Sequence, residues 1–77
     1  MTSINSVRKD LVILGKKVKS RRRDLNISQE EFSAIAGLHR TYISQLELGL
    51  RNPTYTTLVK IADALKINMT ELLDTKI

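Results

Sequence analysis

The feature that most constrains this chain is a pair of short, helically spaced apolar runs hinged on Gly37. Ser28 followed by Glu31 is the spacing of a capping box, which opens a helix sharply. Ile27, just before that cap, is placed to staple onto Phe32. Phe32, Ile35 and Ala36 are expected to face inward. Gly37 then ends the run in a left-handed conformation that a side chain would disfavour. Only Leu38 and His39 intervene before a second helix, Arg40 to Leu48, which stops at Gly49. Ile43 and Leu46 are its expected buried pair. Two short helices joined by a three- or four-residue turn containing Gly are the sequence form of a helix-turn-helix unit. For the first to brace the second closely, small residues must sit at the crossing, and Ala34 and Ala36 are the expected ones.

The rest of the chain also reads as helix. No run alternates apolar and polar residues for the length of a strand, so the fold class is all-α. A first helix is predicted from about Val7 to Asp24, with Leu11, Leu14, Val18 and Leu25 as its apolar stripe. Gly15 weakens that helix by about 1 kcal/mol relative to Ala, and a close neighbour packed on it would explain its presence. After the loop Arg51-Asn52-Pro53-Thr54, a fourth helix is predicted from Thr54 or Tyr55 to Leu65, with Leu58, Ile61, Ala62 and Leu65 inward. Asn68 and Glu71 repeat the cap-plus-three spacing and open a short fifth helix, Met69 to Leu73. Asp74 to Ile77 are expected to fray. At 77 residues the chain is expected to form one domain, marginal unless it packs efficiently or dimerises.

Composition narrows the function. There is no Cys and one His, so disulfides and thiolate metal sites are excluded. There is no Gly-rich phosphate loop and no convincing acid pair, which argues against an enzyme, and no cofactor or small-molecule ligand is expected. Glu30 and Glu31 instead suit the positive end of a helix dipole. The first ten residues lack the apolar core of a signal peptide. No stretch approaches the ~18 apolar residues of a membrane span, so a cytoplasmic protein is expected. The net charge of +5 is uneven: eight Lys and Arg face two acids in residues 1–26, and five face six in residues 27–77. Such a field suits a polyanion such as DNA; a solvated basic helix face is the plainer alternative.

Several strings carry a family resemblance. Ser28-Gln29-Glu30-Glu31-Phe32, Ala36-Gly37-Leu38, Tyr42-Ile43-Ser44-Gln45-Leu46-Glu47, Arg51-Asn52-Pro53-Thr54 and Leu58-Val59-Lys60-Ile61-Ala62 together resemble the Cro/phage-repressor (XRE) helix-turn-helix family. The match spans about residues 14–73 without a gap. It implies a compact five-helix, lambda-repressor-like DNA-binding domain. His39-Arg40-Thr41-Tyr42-Ile43-Ser44 followed by Arg51-Asn52 also resembles the controller proteins of restriction–modification systems.

The resemblance implies roles at matching positions. Arg40, Thr41, Ser44 and Gln45 fall where the family reads bases. Arg suits G, Gln suits A, and the Thr methyl suits T. Gln29 matches a glutamine that contacts phosphate, helped by the unpaired amides of a helix N-terminus; a simple exposed polar side chain is the alternative. His39 could cap its helix or touch phosphate. Tyr42 could contact phosphate, pack, or touch a base. Arg51 and Asn52 match the loop laid against the sugar-phosphate backbone, with turn capping open for Asn52. Lys16, Lys17 and Arg23 could add long-range attraction. Glu47 is expected to pair with Arg22 as a structural ion pair and to stay off the DNA.

One reading helix covers few bases, and the family binds as twofold dimers with reading helices about 34 Å apart. The expected partners are therefore a double-stranded operator, a second copy of the chain, and RNA polymerase blocked or recruited by occupancy. Met69, Leu73, Ile67 and Tyr55 are the candidate dimer surface, with Leu72 and Leu65 as further candidates and closure of the monomer core as the alternative. A prophage or plasmid repressor of the same fold is a second reading. A protein-interaction module, such as an antitoxin or coactivator, is a third. The polar outer face expected for Arg40 to Leu48 favours DNA over protein.

Overall fold

A computed structural model describes residues 4–74. It contains five α-helices in chain order: α1 (Ile4–Asp24), α2 (Gln29–Ala36), α3 (Arg40–Glu47), α4 (Tyr55–Leu65) and α5 (Met69–Leu73). No strand occurs among the described residues. The expected boundaries hold to within a residue, except that α1 is helical from Ile4 rather than Val7. Of the tail expected to fray, residues 75–77 lie outside the described residues.

The caps show why the helices start and stop where they do. Ser28 accepts a hydrogen bond from the Glu31 amide at 3.0 Å, and the Glu31 carboxylate accepts from the Ser28 amide at 3.1 Å. Thr54 and Asn68 cap α4 and α5 through the amides of Thr57 and Glu71. Gly37 closes α2 at φ 68°, with the Leu38 amide reaching back to the Ser33 carbonyl. A Cβ on Gly37 would meet nothing within 4 Å, so the glycine answers to backbone conformation and not to space.

The core lies between α1 and the helices α3, α4 and α5, with α2 packed on α3 and α4. Leu14 and Val18 of α1, Phe32 and Ala36 of α2, Ile43 and Leu46 of α3, Ile61, Ala62, Ala64 and Leu65 of α4, and Leu72 of α5 form one buried cluster. Ile27 and Leu25 pack on its edge, as do Tyr42, Leu58, Ile67 and Met69.

Two inward assignments are corrected. Ile35 is 61% exposed. The buried side of α2 is Phe32, Ser33 and Ala36. At about 100° per residue, Ile35 falls on the flank of that narrow face and Ala34 falls opposite it. Ala34 is accordingly exposed, and the small residues at the crossing are Ser33 and Ala36. The Ser33 hydroxyl turns back to the Glu30 carbonyl at 2.7 Å, so it can be buried without an orphan donor.

Gly15 plays the opposite part to Gly37. A Cβ there would lie 2.5 Å from the Leu46 carbonyl oxygen and 2.7 Å from that of Glu47. On the facing segment, a Cβ on Gly49 would lie 2.8 Å from the Val12 Cα. Both obstacles are backbone and cannot swing aside, so α1 seats against the end of α3 only because neither position carries a side chain. Gly15→Ala is expected to cost about 2 kcal/mol net. Overpacking of about 3 kcal/mol outweighs the roughly 1 kcal/mol of helix propensity that alanine adds. Urea denaturation checks this, and equal or higher stability of the variant would contradict the close crossing.

Candidate nucleic-acid interface

The outward side of α3 assembles first from its N-terminus. Arg40 and Thr41 are exposed, and Ser44 and Gln45 are half-buried one turn on. With Gln29 of α2 they line one shallow surface depression. Ile43 and Leu46, fully buried, hold the opposite side of α3 to the core. The four positions expected to read bases therefore share one face. His39 occupies the N-cap position of α3 in extended conformation, but its side chain makes no capping bond. The residue is exposed.

Behind this face lies a buried ionic cluster. Arg22 Nε donates to Glu47 Oε2 at 2.7 Å and Nη2 donates to Oε1 at 3.1 Å, a two-pronged pairing. Arg22 Nη1 donates to the Ile27 carbonyl at 2.8 Å. Gln29 Nε2 donates to Glu47 Oε1 at 3.1 Å. The side chains are 10% and 2% exposed for Arg22 and Glu47, and no buried side-chain polar atom among the described residues lacks a partner. Hydrogen bonding to Glu47 raises the Arg22 pKa above its ordinary value, with desolvation opposing. The cluster ties α1, the turn before α2, and the end of α3 together. Glu47 faces inward, away from the reading face. Gln29 is more than an exposed polar group, because one of its donors is already committed to Glu47; nothing in the sequence marked that bond.

At the C-terminal end of α3 the chain doubles back. The Leu50 amide bonds the Gln45 carbonyl at 2.9 Å and the Gly49 amide bonds that of Leu46 at 3.0 Å, with Gly49 at φ 78°. This turn returns Arg51 over the helix it has just left. Arg51 Nε donates to Gln45 Oε1 at 2.8 Å, and its guanidinium lies 5.2 Å from the centroid of the Tyr42 ring. Burial pushes the Tyr42 phenol pKa up, with the Arg51 charge opposing. Tyr42 is thus a half-buried packing residue that carries Arg51 on its face. Asn52 points elsewhere, to a groove with Leu11, Leu14, Pro53, Leu58 and Leu73.

The basic residues of α1 are divided. Lys17 donates to the carbonyls of Glu71 and Asp74 at the end of α5. Arg21 Nε donates to the Leu65 carbonyl at 2.9 Å, at the end of α4. These cations satisfy orphan carbonyls and oppose the negative helix ends. Lys17, expected to act at long range on DNA, is therefore engaged within the fold. Lys16 and Arg23 are exposed.

Of the candidate dimer residues, Tyr55 is 72% and Leu73 48% exposed, while Ile67 and Met69 are half-buried against the core. Leu65 and Leu72 are fully buried within the monomer and leave the candidate surface. No described helix is long and apolar enough to cross a membrane, and no cluster of metal-ligating residues occurs among the described residues.

A polar face on a short helix, braced from behind by a second helix across a glycine turn, defines a helix-turn-helix DNA-binding regulator. A helix-turn-helix family model matches residues 18–72, and the chain belongs to that family. It is 46% identical to the control protein C.SmaI of Serratia marcescens over 61 residues, covering 79% of this chain and 73% of that one. It is 41% identical to the control protein C.BamHI of Bacillus amyloliquefaciens over 64 residues, covering 82% and 79%. Among solved structures, the restriction-modification controller protein C.AhdI from Aeromonas hydrophila matches with a TM-score of 0.79 at 36% identity, over 82% of this chain and 96% of that one. The resemblance to controller proteins read from residues 39–52 therefore extends along most of the chain.

Proposed function

We propose that this chain is the controller of a restriction–modification system, binding a pseudo-palindromic operator as a dimer and setting transcription by occupancy. The observation that carries the DNA-binding part is the outer face of α3, where Arg40, Thr41, Ser44 and Gln45 converge on one depression with no acidic side chain among them. A major groove admits such a helix, and its N-terminal side chains reach base edges. Similarity to three controller proteins supports the narrower assignment. Arg40 and Gln45 lead the base contacts, with Thr41 and Ser44 beside them. Gln29, His39 and Arg51 are assigned to the phosphate-sugar backbone, Arg51 most directly because its terminal nitrogens stay free for a charge-assisted bond. Tyr42 instead acts by packing under Arg51, and Asn52, turned to another groove, leaves the contact set.

Arg40→Ala is expected to weaken operator binding by about 1–3 kcal/mol and to relax preference at one base pair per half-site. Selection of bound DNA from a random pool, repeated with the variant, measures both. Uniform weakening across all sequences would make Arg40 a phosphate contact, and no selected motif at all would remove the DNA-reading role.

The dimer surface is assigned to Tyr55 and Leu73, with Met69 and Ile67 as further members. A large exposed aromatic and an exposed Leu suit an isologous contact. Tyr55→Asp and Leu73→Asp are expected to turn a dimer into a monomer in sedimentation equilibrium with helicity unchanged. If both variants stay dimeric, the contact lies on another face.

A further inference from the structure

We propose that Arg51 is a positioning residue for base reading: it fixes the Gln45 side-chain amide so that Gln45 presents only hydrogen-bond donors to the major groove. The proposal rests on the assignment of the α3 face to DNA.

The argument begins with what each group can do. A guanidinium has five donors and no acceptor, so the Gln45 atom it touches must be the amide oxygen. The 2.8 Å bond from Arg51 Nε to Gln45 Oε1 therefore sets which way the amide faces. An isolated glutamine can rotate about its last torsion at small cost and offer either end. Here that freedom is removed from outside the helix. Arg51 in turn is held by the left-handed turn at Gly49, by the bond from the Leu50 amide to the Gln45 carbonyl, and by the Tyr42 ring under its guanidinium. A cation over a ring face is favourable by itself, so Tyr42, Arg51 and Gln45 form a small stack whose last member is the reader.

The chemical consequence concerns adenine. A glutamine reads adenine by accepting from N6 and donating to N7, which needs both ends of the amide. With the oxygen taken by a cation, a second donor approaching it would also approach the positive guanidinium. What remains free is the Gln45 amide nitrogen with its two hydrogens. Those fit the N7 and O6 acceptors of guanine or the O4 acceptor of thymine. The pairing expected of Gln45 from residue type alone is thus changed by a neighbour six residues along the chain. Arg51 keeps both terminal nitrogens for phosphate, so one side chain would couple backbone docking to base choice.

The test uses the intact protein and DNA selected from a random pool. Gln45→Ala identifies the base pair that Gln45 reads, as the position whose preference disappears. At that position the wild type is expected to select guanine or thymine over adenine by on the order of tenfold. Arg51→Met keeps an apolar stem over Tyr42 but has no donor. It is expected to weaken binding to every sequence through the lost phosphate contact. It should also bring adenine to within about twofold of the wild-type base at that one position, a change a phosphate contact alone would not produce. Selection of adenine by the wild type, an unchanged preference in Arg51→Met, or no position that responds to Gln45→Ala would each overturn the proposal. All three, with specific binding intact, would leave the DNA-reading role of α3 standing. Loss of all sequence preference in the wild type would remove both.

Discussion

Glu47→Ala is expected to cost about 3–5 kcal/mol of folding stability, because it leaves the Arg22 guanidinium buried without its counter-charge. A domain of this length has only about 4–12 kcal/mol in total, so the variant should stand near its unfolding midpoint at physiological temperature. The loss is large for a geometric reason. Glu47 accepts from three donors at once, two on Arg22 and one on Gln29. Its side chain is 2% exposed, so water cannot replace them. Burying a charge is unfavourable in itself, and the pair offsets that only while both members are present. Glu47→Gln keeps the shape and one acceptor, and should fall between wild type and alanine. Thermal melts followed by circular dichroism give the readout, with Tm expected to drop by at least about 12 °C for Glu47→Ala. A drop of only a degree or two would mean that the cluster is hydrated in solution.

Raising salt from about 50 to about 200 mM is expected to lower operator affinity by about 150-fold. The tertiary structure bounds this number more tightly than the net charge of +5 does. Arg22 is neutralised by Glu47, while Lys17 and Arg21 are taken up by carbonyls at the ends of α5 and α4. Arg40 and Arg51 remain on or beside the reading face. A cation held in the groove displaces counterions as one on the backbone does, so Arg40 and Arg51 count as about two neutralised charges per protomer and about four per dimer, which gives a slope near −3.6 in log affinity against log salt. Fluorescence anisotropy with the selected operator measures it. A slope near zero would contradict phosphate contact. A slope twice as steep would place the exposed Lys16 and Arg23 of α1 on the DNA as well.

Much of the fold was legible because its signals are local. A capping box needs Ser28 and Glu31 three apart, and a left-handed helix end favours Gly37; both can be read in a window of ten residues. The all-α class followed from helical spacing without strand alternation. The facial assignment of α2 was less legible. Ile35 is apolar and helically placed, yet it is exposed, because an eight-residue helix touching α3 and α4 buries only a narrow stripe and spends part of it on Ser33. The left-handed Lys66 that ends α4, at φ 57°, carries no sequence signal either. It is supported by the Ala62 and Asp63 carbonyls that its amide reaches and by Arg21 on the carbonyl beside it, from a helix some forty residues away.

The candidate site divides in the same way. The family resemblance named Arg40, Thr41, Ser44 and Gln45, and helical spacing agrees, since positions one, two, five and six of a helix share a side. That arithmetic needs no tertiary contact. Local sequence signals also showed where α2 to α5 begin and where the chain turns, and the family resemblance offered Arg22 and Glu47 as a pair. Only the tertiary structure decided which charges are available to a partner and which are consumed inside the fold, because a cation's partner is set by what lies near it in space. It sent Lys17 and Arg21 to helix ends, added Gln29 to the buried ion pair, and laid Arg51 across Tyr42 onto Gln45. Those contacts depend on α1 seating against α3 at Gly15 and on the chain reversal at Gly49, and a spacing rule along one helix carries no information about either.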